Sequence, residues 1–93
     1  MIKHIVMWKL KKSTDAQSFR NQLETCRGIV PGMMLFEVAT RTPALEANCD
    51  VVLYSVFADE AALESYQSHP QHLRVADALG ALNASYSVLD YET

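Results

Sequence analysis

The sequence lacks the features that commit a chain to a membrane, a nucleotide or a redox cofactor. No apolar run reaches roughly 18 residues, the length that a membrane-spanning helix requires. There is no GxGxxG loop, no P-loop and no serine flanked by the glycines of a nucleophile elbow. The two cysteines, Cys26 and Cys49, do not form a CxxC pair, so a redox role is not expected.

Positive charge is also scarce. Eight Lys and Arg residues stand against eleven Asp and Glu residues, for a formal net charge of -3, and this balance argues against binding to nucleic acid. Lys3, His4 and Lys9 interrupt the first apolar segment, so we expect no signal peptide and no membrane association. The resulting expectation is a cytoplasmic protein whose thiols are reduced.

The 93 residues of the chain are expected to form one domain, spanning residues 1–93. A domain of this size buries a smaller share of its surface than a larger one does, so its core is thin. Association into a homodimer would cover part of the surface that remains.

The pattern of residues 1–11 predicts a β-strand that is apolar on both faces. Alternation places Ile2, His4, Val6, Trp8 and Leu10 on one face. The opposite face has charged ends and an apolar middle formed by Ile5 and Met7. A strand of this kind is usually covered on both sides. We therefore expect helices against the first face and a second subunit against Ile5 and Met7.

Helix and strand patterns alternate along the rest of the chain. A capping box of Thr14 and Gln17 predicts the start of a helix, and Gly28 is placed to end it. Further elements are predicted as strands at 33–42, 51–58 and 83–92, a short helix after Asp59, and a helix from Pro70 to about residue 79. The order β-α-β-β-α-β is that of the ferredoxin-like α+β fold. Two such sheets that face each other would form a dimeric α+β barrel.

Most of the candidate chemistry lies in the segment Tyr66-x-x-His69-Pro70-x-His72. It holds two of the three histidines, and the third, His4, lies on the first strand. Imidazole is the side chain whose ordinary pKa is nearest neutrality, so a histidine pair beside a phenol is suited to proton transfer. Pro70 is expected to begin a helix. The predicted inner face of that helix carries His72, Leu73, Ala76 and Leu79.

Three stretches together resemble the stress-responsive A/B barrel (Dabb) domain family. They are the opening Ile2-Lys3-His4-Ile5-Val6-Met7, the segment Val30-Pro31-Gly32-Met33, and the tyrosine and histidine motif just described. The resemblance covers essentially the whole chain. It implies a homodimeric α+β barrel without a prosthetic group.

The resemblance also implies roles for individual side chains. In a plant polyketide cyclase of the family, which closes a poly-β-keto chain by aldol condensation, the proton-shuttling histidine falls on His72 and the assisting tyrosine on Tyr66. The other cleft histidines of that enzyme fall on His4 and His69. The candidate catalytic residues are therefore His72, Tyr66 and His4, and the candidate contacts to a small-molecule substrate are His69 and Trp8.

Each of these polar residues also has a purely structural interpretation. His72 could be a helix-start histidine bonded to a backbone carbonyl, and His69 could cap the helix that Pro70 begins. Tyr66 could be a core residue whose hydroxyl is tied down. His4 could be a satisfied histidine on an apolar strand face.

The histidines also raise the question of a zinc site. His69 and His72 have i, i+3 spacing, which can bring two rings to one side of a helix. The proline between them places His69 outside the regular helix, and no Asp or Glu accompanies them in the motif. We therefore predict no metal and no other cofactor.

Three functions remain open at this point. The first is cofactor-independent acid/base chemistry, of the aldol or cyclase type, on a carbonyl or polyketide-like substrate, with His72 as the base and with Tyr66 and His4 bonding the enolate oxygen. The second is a non-enzymatic dimer that binds a ligand or serves in a stress response. The third is cofactor-independent oxygenation, which rests on analogy with other dimeric α+β barrels.

Overall fold

A computed structural model describes all 93 residues as one antiparallel sheet with helices on one side. The strands are β1 (Ile2–Leu10), β2 (Met33–Thr40), β3 (Val51–Phe57) and β4 (Asn83–Glu92), and the helices are α1 (Ala16–Glu24), α2 (Glu60–Ser68) and α3 (Pro70–Gly80). The strand order is β2-β3-β1-β4. The prediction of a ferredoxin-like β-α-β-β-α-β fold is confirmed, with its second helix divided into α2 and α3. None of the helices combines the length and the apolar composition needed to cross a membrane.

Strand β1 lies in the middle of the molecule and has the two faces that its sequence predicts. Ile2, Val6 and Leu10 point towards the helices and are buried in the core. On the other side Ile5 is half-buried and Met7 is 42% exposed. The alternation of burial along β1 confirms the predicted orientation of the strand.

The sheet surface without helices is called the open face. Register brings Tyr54 of β3 and Leu89 of β4 beside Ile5, and places Val52 beside Met7, so all five side chains share this face. Leu89 is 63% exposed. Exposed apolar surface of this kind is typical of a site of association.

The start of α1 differs from the predicted capping box. A 3-10 turn at Ser13–Asp15 precedes the helix, which begins at Ala16 and has no side-chain cap hydrogen bond. The prediction of a Thr14 and Gln17 box was wrong, because Thr14 lies inside the 3-10 turn rather than at the cap position. Gly28 lies beyond the helix, in the left-handed region with φ of 72°.

The starts of α2 and α3 are at the residues that the sequence predicts. Asp59 caps α2, because its carboxylate accepts the Ala62 N–H over 2.8 Å. Pro70 occupies the first turn of α3. The inner face of α3 is formed by Val75 and Leu79, whereas Leu73 is 56% exposed. The placement of Leu73 on the inner face was wrong, because a period of 3.6 residues that includes His72 and Leu79 passes through position 75.

Candidate functional site

A cavity of about 450 Å³ lies between the sheet and the helices α2 and α3. Its floor is the helix-side face of β1 and β4. His4, Val6 and Trp8 contribute from β1, and Tyr86 and Val88 contribute from β4. Val88 lies opposite Val6, and Tyr86 lies opposite Trp8. Tyr86 and Val88 are more than half exposed, so the cavity opens towards the edge strand β4.

The roof of the cavity comes from the two helices on either side of Pro70. Tyr66 and Gln67 belong to α2, and His72, Ala76 and Gly80 belong to α3. The last three are spaced four residues apart, so they lie along one face of α3. The sequence therefore directs one imidazole and two small residues into the same space.

The imidazole of His72 is held by the backbone of α2. Its Nδ1 lies 3.0 Å from the carbonyl oxygen of Gln67. Since a carbonyl can only accept, Nδ1 donates and Nε2 keeps its lone pair in the neutral ring. Burial lowers the pKa of His72, the bond to Gln67 acts in the opposite direction, and the nearby ring of His4 lowers the pKa further. The result is a neutral imidazole with a free basic nitrogen.

The helix break explains why the Gln67 carbonyl is available. In an uninterrupted helix this oxygen would accept the N–H of Gln71. Here the N–H of Gln71 is bonded over 3.0 Å to Nδ1 of His69, which caps α3. Pro70 has no N–H to offer. The Gln67 oxygen therefore remains free for His72.

His4 is fixed from two sides and is only 5% exposed. Its Nδ1 is paired with the carboxylate of Asp90, the residue opposite it on β4. Its backbone carbonyl accepts the hydroxyl of the fully buried Ser55 over 2.8 Å. No polar side-chain atom in the protein is buried without a partner, and Nε2 of His4 has no partner in the protein. This nitrogen must therefore reach the space of the cavity.

Tyr66 stands between the two imidazoles. Its ring centroid lies 4.7 Å from that of His72 and 6.2 Å from that of His4. Burial, together with the neighbouring thiol of Cys26, raises the pKa of Tyr66. Burial also raises the pKa of the Cys26 thiol. Both groups therefore stay protonated, and Tyr66 is available as a phenol but not as a base.

Four of the five residues expected at the site line the cavity together: His4, Trp8, Tyr66 and His72. Trp8 forms the wall at the far end of β1 and packs edge-to-face on Phe19, with centroids 5.1 Å apart. His69 is not among the lining residues, and its Nδ1 is occupied by the helix cap.

One polar partner of the site agrees with a structural interpretation of the sequence, and the other was not expected. The tautomer of His72 is set by a backbone carbonyl, as the structural interpretation of this residue predicted, although Gln67 itself was not predicted. Asp90 could have been found only through the register of β4 against β1, since 86 residues separate it from His4.

The three histidines do not come together in one metal site. His69 does not line the cavity that holds His4 and His72. No group of three or more His, Cys, Asp or Glu side chains is arranged so that it could hold a metal ion. The prediction that the protein uses no metal stays a prediction, and the arrangement of these donors favours it.

The split βαβ fold and its imidazole-lined cavity agree with the comparison with known families. The chain belongs to the stress responsive A/B barrel domain (Dabb) family, whose model matches residues 2–93. The Dabb resemblance inferred from the sequence is thereby confirmed. No curated protein matches the sequence.

Solved structures share the fold over nearly the whole chain. A dimeric ferredoxin-like protein of unknown function from Bacteroides fragilis is 25% identical, with a TM-score of 0.82 over 99% of this chain and 95% of that chain. A Dabb family protein from Mesorhizobium loti is also 25% identical, with a TM-score of 0.80 and the same coverage. SnoaB, a cofactor-independent oxygenase from Streptomyces nogalater, is 15% identical, with a TM-score of 0.78 over 99% of this chain and 91% of that chain. At this identity the likeness to SnoaB concerns the fold alone.

Proposed function

We propose that this protein carries out acid/base chemistry on a small carbonyl compound without a cofactor. One observation carries the proposal: two imidazoles enter one open cavity, and each has its Nδ1 fixed by a separate partner. Gln67 fixes His72, and Asp90 fixes His4. A fixed Nδ1 leaves Nε2 of each ring for a ligand, which is the arrangement that proton transfer requires.

The reaction begins with removal of a proton from the carbon next to the carbonyl group. Nε2 of His72 takes this proton, and the C–H electron pair moves into the carbonyl to give an enolate. Nε2 of His4, when that ring carries a second proton, donates to the enolate oxygen while Asp90 balances the charge. In an aldol closure the enolate carbon then forms a bond to a second carbonyl carbon of the same molecule. The proton held by His72 passes to the resulting alkoxide.

Tyr66 supports this chemistry as a neutral phenol. Its ring contacts the ring of His72, which restricts the plane in which His72 can approach a substrate. Its raised pKa keeps the hydroxyl protonated, so the hydroxyl can donate a hydrogen bond but cannot compete with His72 for the substrate proton. Burial of this kind is a common way to separate the roles of neighbouring titratable groups.

The active form is a homodimer that pairs through the open face. Ile5, Met7 and Leu89 are the centre of the apolar surface that this pairing would cover. The solved relatives from Bacteroides fragilis and Thermobifida fusca are described as dimeric. Burial of the open face would also complete a thin single-domain core.

Ligand binding without turnover is the second candidate function. Ten of the fifteen residues that line the cavity are hydrophobic, and such a lining gives affinity without any chemistry. Oxygenation without a cofactor remains an analogy between folds, because the similarity to SnoaB is too low to carry over an activity. Proton exchange distinguishes turnover from binding alone.

The test is exchange of deuterium into the carbon between the carbonyls of a β-keto ester in heavy water, followed by NMR after subtraction of the buffer rate. The wild-type protein is expected to accelerate exchange, and His72→Ala is expected to remove at least about 100-fold of the acceleration, the usual contribution of a general base. Leu73→Ala is the matched control, because Leu73 neighbours His72 on α3 but is 56% exposed. Exchange at the buffer rate with the wild-type protein would leave ligand binding as the function. Full activity in His72→Ala would rule out His72 as the base.

A further inference from the structure

The lining of the cavity contains no formally charged side chain. None of its fifteen residues is Lys, Arg, Asp or Glu. The carboxylate of Asp90 is paired with His4 and balances any positive charge on that ring. A ligand carboxylate or phosphate in this cavity would lose its hydration without gaining a Lys or Arg partner, which is unfavourable. The walls therefore select a ligand that is neutral where it is enclosed.

The two imidazoles of the lining are confined to one end of the cavity. His4 and His72 are at one end. Trp8 lies four residues along β1 from His4, or about 13 Å. Gly80 lies eight residues along α3 from His72, or about 12 Å. Strand and helix therefore run side by side from the imidazole end to the end at Trp8 and Gly80, which is called the apolar end. The lining between the two ends is mainly hydrophobic. Asn83 is the polar lining residue at the apolar end, where its side-chain amide donates to the carbonyl oxygen of Leu79.

Gly80 at the apolar end has no structural requirement for glycine. It belongs to the helix α3 and does not have the positive φ that favours glycine, and the cap that follows it, Ala81, is also right-handed. A Cβ atom at position 80 would meet nothing within 4 Å. Glycine is a poor helix former. Position 80 is exposed and belongs to the lining of the cavity, so a side chain added there has room to extend over this end of it.

We propose that Gly80 sets the size limit of the ligand. The ligand is a neutral carbonyl compound whose carbonyl group lies between His4 and His72 and whose apolar body extends along β1 to Trp8. A larger side chain at position 80 closes the apolar end and shortens the body that can be accommodated. The position of the carbonyl group rests on the proposed function, whereas the size limit at Gly80 rests on the shape of the cavity.

The test uses methyl n-alkyl ketones with tails of about three to about ten carbons as probes. Binding is followed by titration calorimetry and by the emission of Trp8, the single tryptophan of the chain. In the wild-type protein, affinity is expected to rise about fourfold with each methylene group. The rise should stop once the extended molecule spans roughly 12 Å. Alkyl carboxylates with the same tails are expected to bind at least about tenfold more weakly, because no Lys or Arg lines the cavity and Asp90 balances any charge on His4.

Gly80→Leu is the decisive variant, and Ala78→Leu is its matched control. Ala78 is exposed on α3 and does not line the cavity, so the control adds the same side chain to the same helix outside the cavity. Gly80→Leu should leave short ketones unaffected and weaken the longest ones by at least about tenfold, the equivalent of about two lost methylene contacts. Ala78→Leu should reproduce the wild-type series. Leucine is a better helix former than glycine, so the variant is expected to fold.

Three results would overturn the proposal. They are an affinity that does not depend on tail length, carboxylates that bind as tightly as ketones, and a Gly80→Leu series that matches that of Ala78→Leu. The proposed function fails separately. Length-dependent ketone binding without deuterium exchange would contradict catalysis and support the size limit. Deuterium exchange without length-dependent binding would support catalysis and contradict the size limit.

Discussion

The carbonyl oxygen of Gln67 accepts a hydrogen bond from Nδ1 of His72 over 3.0 Å. In a continuous helix this oxygen would accept the N–H of Gln71, but α2 ends at Ser68 and Gln71 donates to Nδ1 of His69 instead. The break between the two helices thus produces an acceptor at the place where an imidazole needs one. It sets the tautomer of His72 and leaves Nε2 directed to the ligand.

The protonation of His72 should reflect this environment. Burial is the main cause that lowers the pKa of His72 below its ordinary value of 6.5. Between the pKa of the folded state and 6.5, the unfolded chain binds more protons than the folded protein does. The contribution of His72 to stability is therefore present above pH 6.5 and is lost as the pH falls through the folded pKa. NMR titration should give a midpoint below 6.5 and the Nδ1–H tautomer. A midpoint above 6.5 would contradict this account.

Asp90 should matter through His4 rather than through contact with a substrate. Its carboxylate is paired with Nδ1 of His4, and Asp90→Asn replaces the carboxylate with a neutral amide of the same shape. We expect the rate of deuterium exchange to fall about tenfold, equivalent to about 1.4 kcal/mol of transition-state stabilisation. We also expect the NMR signals of the His4 ring to shift.

Glu92→Gln is the matched control for Asp90→Asn. Glu92 is the next acidic residue along β4 on the same face and lies opposite Ile2. The substitution therefore removes a similar charge but leaves the pair of His4 and Asp90 intact. Equal losses in the two variants would indicate a general effect of charge. The specific role of Asp90 requires the loss to be confined to Asp90→Asn.

The sequence was sufficient for most of the fold because its periodic signals agree with one another. Alternation in β1, the cap at Asp59 and the break at Pro70 each act over a few residues, and each is present in the structure. The two wrong predictions concern positions at which the local sequence is compatible with more than one structure. A 3-10 turn replaced the Thr14 box, and helical phase placed Leu73 on the surface.

The same reasoning predicted the histidines of the candidate site but not the residues that bond to them. His4 and His72 could be identified from residue type, since few side chains transfer protons near neutral pH. Their partners could not be identified, because one is a backbone carbonyl freed by a helix break and the other is a cross-strand neighbour, Asp90. Strand register depends on packing across the whole sheet. The pattern within a single strand therefore does not predict which residue of a neighbouring strand lies opposite.

The open face should mediate dimerisation. Met7 is central to it and 42% exposed in the single chain, so Met7→Glu would place a carboxylate among the apolar side chains of the pairing surface. Wild-type protein at micromolar concentration should sediment at about twice the 10.4 kDa mass of the chain. Met7→Glu should shift the population towards the monomer. Gln17→Glu, which adds the same charge on the exposed side of α1, should remain dimeric. A wild-type monomer would refute pairing through this face.

Chelation should leave the protein unchanged. His69 uses Nδ1 to cap α3 and does not share the cavity of His4 and His72, so the three rings cannot meet around one ion without unmaking the cap. The melting temperature with and without a strong chelator is expected to agree within the error of the measurement. A lower melting temperature after chelation, restored by zinc, would show that a metal contributes to folding.

The roles of His72 and Tyr66 should separate when the two are changed in parallel. His72→Ala removes the base, and deuterium exchange should fall at least about 100-fold while the fold persists, since His72 is only partly buried. Tyr66→Phe keeps the ring that packs 4.7 Å from His72 and removes only a protonated hydroxyl. Exchange should therefore fall by less than about tenfold, the value of one hydrogen bond. Thermal unfolding of both variants provides the control for folding. If the two residues were purely structural, both changes would alter the melting temperature and neither would alter exchange. If Tyr66→Phe were the more damaging change for exchange, the phenol rather than the imidazole would be the proton-transferring group.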